Sequence, residues 1–298
     1  MKVLVTGASG LIGRHTVELL RGGGYSVRTF QRTLYDGVET VRGDVRTDRA
    51  ALCAAAADCA AVVHLAGRGD VGESRRDPVG YADLNATGAL HALEAARGAN
   101  AVCVLASSQR VYPLQRTPSH EDDPPAPDSP YGYAKWVAEL WCRMSSEQLG
   151  VASRVLRFFS VYGPGQQPNG SSGVVSIFAR AALAGEPLIV QSAGRRDFTD
   201  ARDVARGILR AIEDVHTRGG FRFYNVATGV GTTFRELAQA IVEISRSASP
   251  VLEDIIEPGG SDLVADVTRA HQELGYTACI PLRDGLKDYV RWLKPNCS

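Results

Sequence analysis

The sequence predicts an α/β fold, a Rossmann-type doubly wound parallel sheet with a smaller C-terminal substrate-binding lobe. Three observations lead to this class. Short apolar runs alternate with helical patterns through the first 160 residues, a glycine-rich turn follows the first run, and a glycine- and proline-rich loop follows Phe159. Continuous apolar strands separated by helices are typical of a parallel sheet covered on both faces. The length of 298 residues allows two domains.

Residues 1–160 are predicted to form the nucleotide-binding domain. Its six expected strands are Val3–Thr6, Ser26–Phe30, Glu39–Arg42, Ala61–Leu65, Ala101–Ala106 and Ser153–Phe158. The helical patterns between them are Leu11–Arg21, Pro78–Arg97 and Tyr131–Leu149. Six strands with helices on both faces predict a ligand crevice at the carboxyl ends of the strands, where the strand order reverses.

Residues 161–298 are predicted to form the substrate-binding lobe. The lobe opens with the loop Tyr162–Gly173, which is too polar to be core. Its expected helices are Val174–Ala184, Ala201–Asp214, Thr233–Ser245 and Arg283–Leu293, and its expected strands are Pro187–Val190 and Arg222–Val226. We expect residues 201–226 to pack back on the first domain.

Composition excludes several classes of partner. The 33 basic and 33 acidic residues cancel, so neither a nucleic acid nor an anionic membrane would be recruited by bulk charge. No apolar run is long enough to span a bilayer, and the N-terminus does not read as a signal peptide. The six cysteines form no C-x-x-C pair and no metal-ligand spacing. We therefore expect reduced thiols, no metal site and a cytoplasmic protein.

The first candidate site is the glycine-rich turn between the first strand and the first helix. In the dinucleotide-binding fingerprint, the first glycine permits the tight turn, the second lets the backbone approach a pyrophosphate, and the third lets the helix pack on the sheet. The N–H groups that open the helix then face the phosphates. The predicted cofactor-binding residues of this turn are Gly7, Ser9, Gly10, Leu11, Ile12 and Gly13.

The end of the second strand bears on the choice between NAD and NADP. NAD enzymes usually place a carboxylate there for the ribose 2′-OH, whereas this chain has Gln31 and Arg32. The Arg32 guanidinium can pair with a 2′-phosphate, so the sequence leans towards NADP, with NAD left open. Further cofactor contacts are predicted after the third and fourth strands, at Asp44, Val45, Leu65, Ala66 and Gly67. His64 is expected to be a core histidine.

A second constellation indicates proton transfer at an alcohol. Tyr131 and Lys135 are four residues apart on one helix and share a face. A nearby ammonium favours the phenolate, so we expect Lys135 to lower the pKa of Tyr131 and to equip it for general acid–base work. Ser107 and Ser108 end the fifth strand at the expected crevice, where a hydroxyl can bond the same substrate oxygen.

These features together resemble the extended short-chain dehydrogenase/reductases of the nucleotide-sugar epimerase/dehydratase family, nearly end to end. The segments that carry the resemblance are Thr6–Gly13, His64–Gly67, Val71–Ser74, Ser107–Ser108, Ser129–Gly132 with Lys135, Leu156–Phe159, Val161–Gly165 and Arg196–Phe198. The resemblance implies an NAD(P)-dependent enzyme that acts on a nucleotide-sugar. It also implies a homodimer formed through the tyrosine helix and the helix resembling Pro78–Arg97, with Leu84, Leu90 and Trp141 as candidate contacts.

The resemblance also implies individual roles. Tyr131 would be the acid/base, Lys135 would bind the nicotinamide ribose, and Phe158 would contact the cofactor. Ser108 rather than Ser107 would polarise the substrate hydroxyl, because the family's serine or threonine stands three residues before a valine, here Val111. Ser160 and Arg196 would bind substrate, with Arg196 on the diphosphate, a role that suits a planar bidentate donor.

Departures from the family pattern narrow the reaction. The family's NAD-type aspartate falls on Gln31, and its asparagine after Phe159 falls on Ser160. A second phosphate arginine is missing near residues 257–259. The dehydratases' Asp-Glu pair is replaced by Gln109 and Arg110, which cannot do the proton work of a carboxyl group, so a 4,6-dehydratase is not expected.

Several functions stay open at this point. The first is an epimerase that transiently oxidises a sugar carbon, C4 by resemblance, and keeps its cofactor. The alternative is an NADPH-dependent ketoreductase of a nucleotide-linked 4-ketosugar or of a non-sugar carbonyl compound, which consumes one cofactor per turnover. A third class, a cofactor-binding protein without catalysis, is disfavoured because Ser108, Tyr131 and Lys135 are all present.

Overall fold

The computed structural model describes residues 1–115, 118–167, 173–257 and 261–294. Its strands are β1 (Lys2–Thr6), β2 (Ser26–Gln31), β3 (Glu39–Arg42), β4 (Ala61–His64), β5 (Val102–Ser108), β6 (Ser153–Phe158), β7 (Val161–Tyr162), β8 (Leu188–Ser192), β9 (Arg195–Asp197), β10 (Thr199–Asp200), β11 (Phe221–Val226), β12 (Gly231–Thr233) and β13 (Val251–Glu257). Its helices are α1 (Leu11–Gly22), α2 (Arg49–Ala56), α3 (Val71–Arg76), α4 (Pro78–Ala82), α5 (Gly88–Gly98), α6 (Pro130–Leu149), α7 (Gly173–Ala184), α8 (Ala201–Arg218), α9 (Phe234–Ser245), α10 (Thr268–Leu274) and α11 (Leu282–Leu293).

The centre of the molecule is a parallel sheet of seven strands in the order β3-β2-β1-β4-β5-β6-β11. The predicted doubly wound α/β sheet is confirmed. The chain winds from β1 outwards to β3, then returns to β4 on the other side of β1. The carboxyl ends of β1 and β4 therefore border the crevice in which such sheets bind ligands.

Alternate residues of each strand face two separate apolar cores, as period-two geometry requires. On one face, Val3 and Val63 pack with Val17 of α1 and Ile208 of α8. On the other, Leu4, Val62 and Leu105 pack with side chains of α2, α5 and α6. Because helices cover both faces, the strands read as continuous apolar runs rather than as an alternating pattern.

The rest of the chain divides its elements between the sheet and a second cluster. β11 pairs with β6, and α8 packs on the face that α1 also covers. A third apolar core contains Phe178, Leu188, Leu237, Ile241 and Leu286 and joins α7, α9 and α11 with β8. The division into domains at residue 160, like the substrate-binding role of the C-terminal lobe, stays a prediction.

The structure corrects several elements. The predicted helix Pro78–Arg97 is interrupted by the π-helical turn Asp83–Thr87 between α4 and α5. α2 and α3 were not predicted, because an alanine-rich stretch and a six-residue turn carry little apolar periodicity. β5 extends beyond Ala106 to Ser108, which places both serines inside the strand. Residues 168–172 of the predicted loop, like residues 258–259, lie outside the described residues.

Candidate active site

The glycine turn brings the backbone unusually close to the neighbouring strand. Gly7 has φ = +71°, and a Cβ there would lie 2.6 Å from the Ala66 nitrogen. A Cβ on Gly13 would lie 2.2 Å from the Gly7 carbonyl oxygen. α1 begins after Gly10, whose N-cap position provides no side-chain hydrogen bond. The first N–H groups of α1 therefore remain available as donors for an anion.

A cavity of about 340 Å³ opens beside this turn. Its described lining comes from the glycine turn, from the ends of β2, β3 and β4 and the loops that follow them, and from the π-helical turn between α4 and α5. The lining residues are Gly7, Ser9, Gly10, Phe30, Gln31, Arg32, Thr33, Gly43, Asp44, Val45, Arg46, Leu65, Ala66, Gly67, Arg68 and Leu84. We call it the first cavity. Most predicted cofactor residues lie in it. Leu11 and Gly13 do not line it, and Ile12 faces a second cavity.

Both the oxygen and the nitrogen of the Gln31 side-chain amide form hydrogen bonds. Its Oε1 accepts a hydrogen bond from the Ser9 nitrogen at 3.0 Å, and its Nε2 donates to the Thr33 carbonyl at 2.9 Å. The side chain is buried. Gln31 thus connects the glycine turn to the loop after β2, while Arg32 follows it on the cavity wall.

Asp44 and Arg46 form an ion pair on the same wall. Arg46 Nη2 lies 2.7 Å from Asp44 Oδ2, and hydrogen bonds from Arg46 lower the pKa of Asp44 to about 2. The charge of Arg32 makes a smaller contribution to this lowered pKa. Arg46 is thus paired with Asp44. Arg32, on the same wall, forms no salt bridge with a carboxylate of the described residues.

Buried polar side chains of β1, β4 and the π-helical turn hold the loop after β4 in place. Thr6 Oγ1 lies 2.9 Å from His64 Nδ1 and accepts a hydrogen bond from the Ala66 nitrogen. Burial lowers the pKa of His64 to about 3, so this ring is a neutral core group. Asn85, in the π-helical turn, bonds both the nitrogen and the carbonyl of Arg68. The loop that carries Gly67 is held on both sides.

A second cavity, of about 310 Å³, adjoins the first where the strands meet the C-terminal elements. Its described lining includes the ends of β5 and β6, the start of α6 and the start of α7: Ile12, Gly69, Val71, Ser107, Ser108, Gln109, Arg110, Tyr131, Phe158, Phe159, Ser160, Val161, Gln166, Gly173, Val174, Val175 and Phe198. Ser108 and Tyr131 meet here. Phe158, predicted as a cofactor contact, also lies here rather than in the first cavity.

Ser107 and Ser108 have different partners. Ser107 Oγ donates to Glu139 Oε1 at 2.5 Å, and Glu139 is also held by Arg157 through two hydrogen bonds of 2.7 and 2.9 Å. Ser108 Oγ accepts from the Arg110 nitrogen, and Ser108 lines the second cavity together with Tyr131. Ser107 therefore belongs to a buried hydrogen-bond network that fixes α6 against β5 and β6, whereas Ser108 is available to a ligand in the second cavity.

The pKa of Tyr131 departs from the expectation. Burial raises it above its usual value, while a hydrogen bond from Ser108 and the charge of Arg110 lower it. The expectation that Lys135 lowers it is wrong. The Lys135 ammonium is itself buried, donates to the Ala106 carbonyl at 3.0 Å, and has its pKa lowered to about 8 by burial. Its charge is directed at the floor of the crevice below Gly67.

Ser160 and Arg196 differ in their placement. Ser160 lines the second cavity and accepts a hydrogen bond from Gln109 Nε2 at 3.2 Å. Arg196 lies on β9, where its guanidinium donates to the Arg195 and Ser261 carbonyls and stacks over Phe234. It is not part of the described lining of either cavity. Its role on a diphosphate stays a prediction.

Three positioning residues escaped the sequence analysis. Glu139 follows Tyr131 and Lys135 at the same four-residue spacing, so helix geometry alone places all three on one face. Asn85 is a weak helix former inside a helical pattern, which is a signal of a special role. Tyr81 is fully buried and packs edge-on against the Tyr131 ring at 6.3 Å between centroids, with its hydroxyl donating to Glu73. Nothing in the sequence pattern singles out Tyr81.

The described residues form neither a cluster of metal ligands nor a membrane-spanning helix. Within the described ranges no group of three or more His, Cys, Asp or Glu side chains is placed to hold a metal ion. Across those same ranges, none of the helices combines the length and apolar character needed to cross a membrane.

Comparison with known proteins places this geometry in context. The model of the NAD-dependent epimerase/dehydratase family matches residues 3–227. The UDP-glucose 4-epimerase of Mycolicibacterium smegmatis is 31% identical, over 99% of both chains. The UDP-glucose 4-epimerase of Thermotoga maritima, solved with UDP-glucose, aligns over 100% of both chains with a TM-score of 0.92 and 29% identity. MoeE5, solved with UDP-glucose and NAD, aligns over 100% of both chains with a TM-score of 0.91 and 32% identity. MoeE5 has also been solved with UDP-glucuronic acid and NAD.

Proposed function

This chain belongs to the NAD-dependent epimerase/dehydratase family, and on that premise we propose that it is a nucleotide-sugar 4-epimerase that retains its nicotinamide dinucleotide. One observation carries the proposal: Ser108 and Tyr131 meet in the second cavity, directly beside the glycine-turn cavity. A polar pair suited to an alcohol oxygen thus adjoins a site built for a dinucleotide. The comparisons support the choice, since the relatives named above include UDP-glucose 4-epimerases.

The first cavity fits a dinucleotide. The close approach at Gly7 leaves no room for a side chain, and the uncapped start of α1 offers donors to a pyrophosphate. Gln31, Arg32, Asp44 and Val45 would surround the adenosine, and Leu65, Ala66 and Gly67 would lie along the middle of the molecule. Lys135 would hold the nicotinamide ribose. When bound, the dinucleotide supplies the reversible oxidation of an alcohol carbon.

The residues of the second cavity perform the proton chemistry. Tyr131 takes the proton of the sugar hydroxyl as the carbon is oxidised and returns it when the carbon is reduced on its other face. Ser108 donates a hydrogen bond to the same oxygen, which stabilises the charge that develops there. The charge of Arg110 helps the phenol to ionise despite its burial. No proton is consumed over a full turnover.

The residues after Ser108 set the reaction class. An elimination of water from the sugar needs an acid and a base of its own beside the reacting carbons. Gln109 and Arg110 occupy these positions, and neither can serve as a carboxylic acid. The proposed activity is therefore epimerisation without dehydration.

A second candidate is the NADPH-dependent ketoreductase of a nucleotide-linked 4-ketosugar or of a non-sugar carbonyl compound. It is favoured by the wall of the first cavity, which pairs Arg46 with Asp44 and leaves Arg32 for a 2′-phosphate. MoeE5 was solved with NAD, so the NADP preference draws no support from the comparisons. It stays a prediction, and NAD is the first cofactor to test.

The cofactor that the purified protein carries separates the two candidates. The protein is denatured, and the released dinucleotide is identified and counted by chromatography. Tightly held oxidised cofactor near one per chain supports the epimerase, because the cofactor is regenerated in each turnover. A protein that is purified empty and binds NADPH much better than NADH supports the reductase and the role of Arg32.

We also propose a homodimer. Exposed apolar side chains on neighbouring helices, Val79 of α4 and Tyr133, Leu140 and Trp141 of α6, give an apolar surface that a second copy can cover. Leu84 instead lines the first cavity and is a poorer candidate than the sequence implied. Sedimentation of wild type and of a Trp141→Glu variant tests the proposal: a dimer that the variant converts to monomer supports it, and a monomeric wild type contradicts it.

A further inference from the structure

Gln109 carries a buried hydrogen-bond acceptor that the fold does not use. The residue begins the 3₁₀ turn Gln109–Val111 directly after Ser108, is 9% exposed and lines the second cavity. Its Nε2 donates to Ser160 Oγ at 3.2 Å. Its Oε1 is buried, and none of the described residues donates a hydrogen bond to it. An unsatisfied buried acceptor destabilises the protein, and a ligand with a suitably placed donor removes this cost.

We propose that Gln109 is a specificity-determining residue that accepts a hydrogen bond from a neutral hydroxyl group of the sugar, on a substituent next to the carbon that is oxidised. The residue thereby selects a nucleotide-hexose over the corresponding uronate, which carries a carboxylate. This inference rests on the proposed function, because it takes the Ser108–Tyr131 pair as the place where the reacting oxygen binds.

The position of Gln109 fixes which part of the sugar it reads. Ser108 bonds the reacting oxygen, and the next Cα lies about 3.8 Å further along the chain. The Gln109 amide is held towards Ser160, on the neighbouring wall formed after β6. A sugar group that contacts both Gln109 and Ser160 is therefore expected close to the reacting carbon.

The unpaired Oε1 of Gln109 favours a neutral group that can donate a hydrogen bond. A carboxylate at neutral pH has acceptors only, so it would leave Oε1 unpaired and would add the cost of burying a charge. Arg110 is the charged side chain among the described lining residues, and its guanidinium lies 3.4 Å from Asp128, which partly compensates it. A hydroxyl group satisfies Oε1 without either cost.

The amide could also turn about its terminal torsion, which is broad in glutamine. Nε2 would then face the sugar and Ser160 would donate to Oε1. That arrangement suits a carboxylate, so the preference between the two substrates distinguishes the arrangements.

The test measures binding by calorimetry with the cofactor-loaded protein and two commercial ligands, UDP-glucose and UDP-glucuronate, which differ at one carbon. Wild type is compared with Gln109→Met, which keeps the volume without a hydrogen bond, and with Ser160→Ala, which removes the anchor of the amide. We expect wild type to bind UDP-glucose at least tenfold more tightly. Gln109→Met should weaken that affinity about 5- to 100-fold and strengthen binding of UDP-glucuronate, with Ser160→Ala intermediate.

Two results would overturn the proposal: tighter binding of UDP-glucuronate by wild type, or an unchanged ratio in a Gln109→Met variant whose melting temperature and cofactor content match wild type. Interconversion of each sugar with its 4-epimer is followed separately by NMR. Binding selectivity without interconversion of either sugar would contradict the proposed function and leave the role of Gln109 supported. Interconversion with an unchanged binding ratio would support the proposed function and contradict the role of Gln109. Binding of neither sugar would overturn both.

Discussion

Lys135 Nζ donates a hydrogen bond to the Ala106 carbonyl oxygen at 3.0 Å, which joins α6 to β5 two residues before Ser108. The ammonium is buried, and a Cβ on Gly67 would lie 3.3 Å from it. Lys135 therefore lies beside Gly67 of the first cavity, where we propose that the nicotinamide ribose binds. Its burial has measurable consequences for pH dependence.

The first prediction concerns cofactor affinity. Burial lowers the pKa of Lys135 from 10.5 to about 8, so the donor protons of the ammonium are lost as the pH rises through that value. We expect NAD affinity to fall between pH 7 and 9 in wild type and to be lower but flat over this range in Lys135→Met. Fluorescence titration at each pH measures this. A flat wild-type profile would contradict the assignment of Lys135.

The second prediction concerns alkaline stability. A lowered lysine pKa means that the unfolded chain binds more protons than the folded chain between about pH 8 and the unperturbed value of 10.5. The free energy of unfolding contributed by Lys135 therefore rises with pH across this window. Urea unfolding of wild type and Lys135→Met should show a difference that shrinks from pH 8 to pH 10. A difference that is constant with pH would refute the buried ammonium.

The third prediction separates two neighbouring serines. Ser108→Ala removes a donor from the reacting oxygen, so kcat should fall about 100-fold with little change in stability. Ser107→Ala removes one donor from buried Glu139, so stability should fall by about 1–3 kcal/mol while kcat stays within about threefold. Both variants need steady-state kinetics and urea unfolding. Exchanged phenotypes would show that Ser107 is the catalytic serine.

The fourth prediction concerns acid stability. Burial lowers the pKa of His64 from 6.5 to about 3, so the unfolded chain binds the extra proton first as the pH falls. His64 should cost the fold about 2 kcal/mol between pH 7 and pH 5. Urea midpoints at these two pH values, compared with those of His64→Asn, measure the loss. Equal pH dependence in the two proteins would exclude His64 as its cause.

The fifth prediction tests Arg32. If this guanidinium reads a 2′-phosphate, Arg32→Ala should weaken NADP binding about tenfold or more, as expected for loss of a charged hydrogen bond, and leave NAD binding within about twofold. Arg97→Ala serves as a control, since Arg97 is an exposed arginine of α5 that is not among the cavity lining residues. A wild-type preference for NAD that Arg32→Ala leaves intact would remove the case for NADP.

The fold could be predicted from the sequence where the apolar runs and the glycine turn gave a strong pattern. Parallel strands buried on both faces give apolar runs that need no alignment to detect, and the glycine turn marks the crevice because only glycine tolerates the approach at Gly7 and Gly13. The break of one predicted helix at the π-helical turn was not accessible. That break places Asn85 on the Arg68 backbone, and it depends on a tertiary contact rather than on local propensity.

The site was accessible only in outline. The spacing of Tyr131 and Lys135 placed them on one helix face, but it gave the wrong sign for the pKa of Tyr131, because burial depends on packing that spacing does not encode. The free acceptor of Gln109 was equally hidden. It exists because Ser160, 51 residues away in sequence, takes the other end of the amide.

The most direct test of the central claim is the number of sugars converted per bound cofactor. UDP-glucose is supplied in large excess over the purified protein without added dinucleotide, and the 4-epimer is followed by NMR. We predict many turnovers per bound cofactor with no net change in the redox state of the cofactor, and no turnover by Tyr131→Phe carrying the same cofactor. No 4-epimer in this assay, together with one NADPH oxidised per carbonyl group reduced in a parallel assay supplied with NADPH and a nucleotide-linked 4-ketosugar, would contradict it.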